Sequence, residues 1–176
     1  MNTGFKIRRP SSVSDEFEKG YVLPVELIPK PSWYINVRTK SPTVWDKIKK
    51  IKKRISCNCE ICGKEFGKDI WNRQDIHEVF SYNTGSIVQK LVKLESLCHA
   101  CHMAKHPGFM STDESPEGIS RANFVIKHSC KVNNLSSEEY DDMVRTAYSI
   151  WEDRSKIKWE IDLEYAMTFV RENSIE

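Results

Sequence analysis

The chain has 176 residues, 39% of them hydrophobic, and a net charge of +2, which suits one domain or one small domain with appendages. No apolar run approaches the roughly 18 residues of a membrane helix, and the opening MNTGFKIRRP has no apolar stretch behind its arginines. Neither a membrane span nor a secretory signal is therefore expected, and the chain reads as a soluble cytoplasmic protein.

Residues 1–20 read as a polar arm with Pro10 and many charges. From Tyr21 to Arg38 the pieces YVLPVELI and WYINV look strand-like and are expected to pack as extended chain. A helix is expected from Ser41. Pro42 suits its first turn, and Val44, Ile48, Ile51 and Ile55 make one apolar stripe. Its other faces carry Lys47, Lys49, Lys50, Lys52, Lys53 and Arg54. That basic surface is either simply solvated or a phosphate-contacting face. Residues 1–110 hold 19 Lys and Arg against 11 Asp and Glu, and residues 111–176 hold 8 against 14. The first part therefore suits a polyanion.

Next comes CNCEICGKEF. Cys59 and Cys62 form a closely spaced pair, with Gly63 permitting the tight turn of a metal knuckle. Cys98 and Cys101 repeat the spacing. Two such pairs predict a structural zinc rather than disulfides. Cys57 stands close enough to be a substitute ligand, and Cys130 reads as an ordinary semi-buried thiol. Between the pairs, DIWNRQDIHEVF suits a strand, NTG at 83–85 a turn, and IVQKLVKL a second extended segment of ambiguous period. In LCHACHMAKHPG, His102 and His106 lie four apart and share a helix face. With His77 on the strand they form a candidate second metal site. Asp75 shares the strand face of His77. His99 is expected outward or in a supporting bond, and His128 at the surface.

Residues 111–118 read as a linker. Beyond them Ser136 and Glu139 form a capping box, and Tyr140, Val144, Ala147 and Trp151 a helical stripe. Trp159, Ile161 and Leu163 alternate before YAMTFV. This acidic third reads as a helical appendage packed on the zinc core, with Trp151 and Trp159 available to a protein partner.

The order CEIC, IHE, LCHACHMAKH resembles the HNH, or His-metal-finger, endonucleases over residues 41–110, especially the zinc-supported members of phages and bacteria. The resemblance implies a small α+β fold, a ββα-metal core stabilised by a four-cysteine zinc site. Residues 1–40 would be an N-terminal arm and extended segment, 41–110 the nuclease core opening on the basic helix, and 111–176 linker and appendage. It also implies metal-dependent cleavage of double-stranded DNA. Zinc falls to Cys59, Cys62, Cys98 and Cys101, and the catalytic ion (Mn2+, Ni2+, Zn2+ or Mg2+) to His77, His102 and His106. The general base is Glu78, which stands where the family has His, or else His77. Asp75 is a supporting residue. Lys93 replaces the family's Asn and either contacts phosphate or marks a decayed site. Lys49, Lys50, Lys53, Arg54 and Lys90 are candidate contacts to the DNA backbone. A non-catalytic nucleic-acid-binding module, or a protein-interaction module on a decayed fold, are the alternatives.

Overall fold

The computed structural model describes residues 21–109 and 113–174. The expected N-terminal arm and the linker's first two residues lie outside that range. The described residues form a small α+β fold: α1 (Val37–Lys40), α2 (Pro42–Ile55), β1 (Gln74–Asn83), β2 (Val88–Cys98), α3 (His99–Lys105), α4 (Pro116–Asn133), α5 (Ser137–Ser155), β3 (Glu160–Asp162) and α6 (Glu164–Asn173). Strand order is β1-β2-β3, with β1 and β2 antiparallel and β3 parallel to β2.

The ambiguous period of the second extended segment has a physical cause. Val79 pairs with Lys93 and Phe80 with Leu91, so Val92 is an unpaired extra residue in β2. Such a bulge reverses side-chain alternation. Leu91 and Leu94, three apart, therefore join one core cluster with Ile48 and Ile51 of α2 and Phe169 and Val170 of α6. A fully buried Leu or Ile contributes about 2 kcal/mol, whereas the exposed Asp46–Lys49 pair lies within α2 and ties it to nothing else. Ile48 and Ile51, with Val44 beside them, hold α2 on the sheet, while Ile55 of the expected stripe is exposed and Lys52 of the expected basic surface is buried and pairs with Glu60 at 2.9 Å.

The strand-like reading of residues 21–38 is corrected in part. Tyr21 to Pro29 is extended but in no ladder, and α1 begins within WYINV. The extended strap stays down because the Asn133 side chain serves both backbone groups of Leu23, accepting from its N–H and donating to its carbonyl, each at 2.8 Å. The Glu26 N–H donates to the Lys105 carbonyl at 2.8 Å. The expected linker also ends early, since α4 starts at Pro116 with Ser115 accepting from the Gly118 N–H. The Ser136–Glu139 capping box forms at the start of α5. No described helix is long and apolar enough to cross a membrane.

Trp159 is not a free docking residue. It is 6% exposed, and its indole donates to the Arg154 carbonyl. Trp151 stacks on Trp33, and both indoles donate to the Ile28 carbonyl. Trp33 and Trp151 thereby tie α5 to the N-terminal strap.

Candidate metal centres

The first knuckle is a hairpin turn. The Gly63 N–H donates to the Cys59 carbonyl at 3.0 Å and the Cys59 N–H to the Lys64 carbonyl at 2.9 Å. Gly63 has φ +71°, a conformation cheap only for glycine. The second knuckle is the junction of β2 and α3. There Arg73 and Trp71 carbonyls accept from the His99 and Ala100 N–H groups at the helix start, which otherwise lack partners.

Together the turns bring the sulfurs of Cys59, Cys62, Cys98 and Cys101 within 4.8 Å of one another. Cys62 and Cys98 Sγ stand 3.7 Å apart, while sulfurs around a tetrahedral ion with bonds of ~2.3 Å stand about 3.8 Å apart. This cluster can hold a metal ion. Hydrogen bonds from Cys101 and Cys98 push the Cys59 thiol down, and bonding to Cys59 and Cys98 pushes Cys101 up. Cys59 thus carries charge readily while Cys98 and Cys101 resist, and a divalent cation would relieve that conflict. Cys57 is exposed and outside the cluster, and Cys130 is half-buried elsewhere.

His128 is corrected from a surface residue to a neighbour of this cluster. It sits on α4 with Nε2 3.1 Å from Cys101 Sγ. Its spacing from the knuckles gave no signal, because only the packing of α4 on α3 brings it there. Partners of this kind tune metal affinity roughly 10–100-fold. His128→Phe is therefore expected to raise zinc loss to a competing chelator about tenfold, measured by colorimetric release.

The second cluster lies on the neighbouring face of α3. His77, His102 and His106 offer ring nitrogens within 4.8 Å of one another. Each has one nitrogen committed to a neighbour. His77 Nε2 donates to Glu26 Oε2 at 2.8 Å, His106 Nδ1 to the Glu26 carbonyl at 2.8 Å, and His102 Nδ1 to Asp75 Oδ2 at 3.0 Å. Burial pushes His77 and His106 down, His106 to about 3, so both rings are neutral. His77 Nδ1 and His106 Nε2 are then bare acceptors, and they face each other at 3.2 Å. Two lone pairs so placed repel unless a cation lies between them. Nitrogens each ~2.1 Å from one ion stand at about this separation. Neutral imidazole with its other nitrogen held by an oxygen acceptor is also the usual state of a metal-binding histidine.

Glu26 was not foreseen, since it lies far from the motif in sequence. Burial raises its carboxyl, but His77 and Lys105 more than offset this and hold it below the usual range. Lys105, almost fully buried, pairs with Glu26 and lies 3.4 Å from Glu95. Removing Glu26 would leave buried Lys105 with Glu95 alone and His77 Nε2 without its acceptor, and losing one partner of a buried pair is costly. Glu26→Ala is thus expected to cost about 3 kcal/mol in urea unfolding. Because Glu26 is depressed in the fold, its stabilisation is present above the unfolded value and is lost as pH falls below it.

Glu78 is not with the histidines. His77 and Glu78 are neighbours on β1, so they face opposite sides of the sheet. Glu78 points with Ile76 and Phe80 toward α1 and α2, where its Oε1 accepts from the Val37 N–H at 2.8 Å. It caps α1. Burial raises its pKa despite that bond. A raised group favours folding below its unfolded value, and the benefit is lost as pH rises through the folded one. Glu78→Gln keeps an acceptor and removes the titration. Its melting temperature is expected to gain on the parent's as pH rises above about 4, the ordinary Glu value.

Asp75 holds His102 and also accepts from His99 Nδ1 at 2.5 Å. Burial raises its carboxyl, but the bonds from His102 and His99 outweigh this and hold it at about 2. These residues floor a cleft of about 450 Å³ at the open edge of β1, walled by Arg38, Trp45, Lys49, Arg73 and Met103. Of the expected backbone contacts only Lys49 lines it. Lys90 pairs with Asp162 of β3, Arg54 donates to the Asn173 carbonyl at the end of α6, and Lys93 pairs with Glu95 and Glu60. Lys50 and Lys53 are exposed on α2 outside the cleft. Arg38 and Arg73 were missed because neither belongs to a run of like charges. No family model, no curated protein and no solved structure matches this chain.

Proposed function

We propose that this chain is a metal-dependent DNA endonuclease of the HNH type, with a structural zinc on Cys59, Cys62, Cys98 and Cys101. The observation that supports it most is the convergence of the His77, His102 and His106 ring nitrogens beside a cation-walled cleft that His102 and His106 line. An all-sulfur set suits zinc, and an all-imidazole set suits zinc, nickel or manganese better than magnesium, which prefers oxygen.

A divalent ion on His77, His102 and His106 would polarise a phosphodiester and stabilise charge on the leaving oxygen. The chain's own groups do the rest. Glu26 and Asp75 fix the ring orientations. Arg38, Lys49 and Arg73 hold phosphates and so position the strand without reading it. His77 is too enclosed to meet water directly, being 2% exposed, and Glu78 faces away. His99, whose Nδ1 donates to Asp75 and whose Nε2 lies 3.5 Å from the Arg73 guanidinium, would be the cleft-lining candidate to accept a proton from attacking water.

One observation favours a non-catalytic nucleic-acid-binding module, namely Glu78 turned from the position the family's base occupies. Nicking of supercoiled plasmid across Mg2+, Mn2+, Ni2+ and Zn2+ decides between the two. The nuclease reading expects nicked circles with at least one ion. Intact plasmid with all four contradicts it.

A further inference from the structure

The cleft is not lined as a duplex backbone alone requires. Arg38, Lys49 and Arg73 supply positive charge, but Trp45, Ile76 and Met103 give it an apolar wall. Trp45 is half-buried in the first turns of α2, packing against the α2–sheet core while also lining the cleft. An indole so supported is a fixed platform. His99, His102, His106 and Asp75 line the cleft beside it.

A duplex presents phosphates, sugars and base edges to a protein, and its base faces stay stacked inside. Only an unpaired or extruded nucleotide brings a base face to an aromatic wall. The volume, about 450 Å³, falls in the small-ligand range of ~300–1,000 Å³. Cation wall, apolar wall and histidine floor together match one nucleotide, with its phosphate toward Arg73 and the imidazoles and its base toward Trp45. We infer that the cleft is a nucleotide slot, so that the chain selects single-stranded or locally unpaired nucleic acid over intact duplex. This rests on the nuclease reading and sharpens its substrate class.

Base–aromatic stacking is worth enough to change affinity roughly tenfold or more per base. The test is fluorescence anisotropy on the zinc-bound full chain with no catalytic metal added. It uses a labelled oligonucleotide as single strand and as matched duplex. The single strand should bind about tenfold tighter. Trp45→Leu, which keeps apolar volume but removes the ring face, should abolish that preference, weakening single-strand binding far more than duplex binding. Trp45→Phe should retain most of it. Zinc content and melting temperature of each variant show that the fold is intact.

Equal affinity for the two forms would overturn the slot, as would a Trp45→Leu variant that weakens both alike, because a deoxyribose resting on the indole is offered equally by a duplex. The slot fails separately from the nuclease reading. Plasmid nicking with no strand preference sinks the slot alone, while no binding to either form at low salt sinks both.

Discussion

Cys101→Ser is expected to abolish zinc retention and cooperative unfolding together. Cys101 is fully buried, and it shares one core cluster with Cys59, Cys98, Leu23, Leu97 and Val125. The core around the knuckles is therefore partly made of the ligands themselves. A zinc on four thiolates contributes on the order of 10 kcal/mol or more of binding free energy that is also folding free energy. A domain of this size has about 5–15 kcal/mol in total. Hydrophobic burial around α3 cannot offset the loss, since two of that helix's four buried residues are alanines. Circular dichroism and zinc release should show a broad, early transition in Cys101→Ser and in parent protein treated with strong chelator. Cys57→Ser should match the parent, because that thiol is exposed and outside the cluster.

His102→Ala is expected to lower plasmid nicking by about 10³-fold or more while leaving the zinc in place. A Lewis-acid ion stabilises a phosphoryl transition state by several kcal/mol, and each ~1.36 kcal/mol is tenfold in rate. His102 is half-buried at the cleft floor rather than in the core, so its truncation should cost little stability. Glu78→Gln should retain activity near the parent's, since its carboxyl serves the Val37 N–H on the far side of the sheet. Loss of nicking in Glu78→Gln with zinc and stability intact would return the base to that residue.

The cysteine pairs were readable because local turns fix them, and His102 and His106 do converge, although α3 ends at Lys105 and His106 enters from its non-helical cap rather than from a shared helix face. The alternation of β1 was enough to place Asp75 and His77 on one face. What the sequence hid was set by tertiary packing. Glu26 reaches His77 only because the strap is pinned by Asn133 and Lys105. His128 reaches Cys101 only through α4. Arg38 and Arg73 meet Lys49 across the edge of β1. The base assignment to Glu78 came from family likeness, against the plain alternation of a strand. The long α4 carried no strong stripe that marked it, as its few buried residues are Gly118, Val125 and Ser129.

X-ray absorption on zinc-reconstituted protein, before and after brief exposure to a mild chelator, asks most directly whether α3 serves two separate ions. Two ions per chain are expected at first, one ringed by sulfur and one by nitrogen and oxygen. After chelation the sulfur-ringed ion alone should remain, and in His102→Ala it should be the only one from the start. A single ion with mixed sulfur and nitrogen neighbours would contradict the two-centre arrangement.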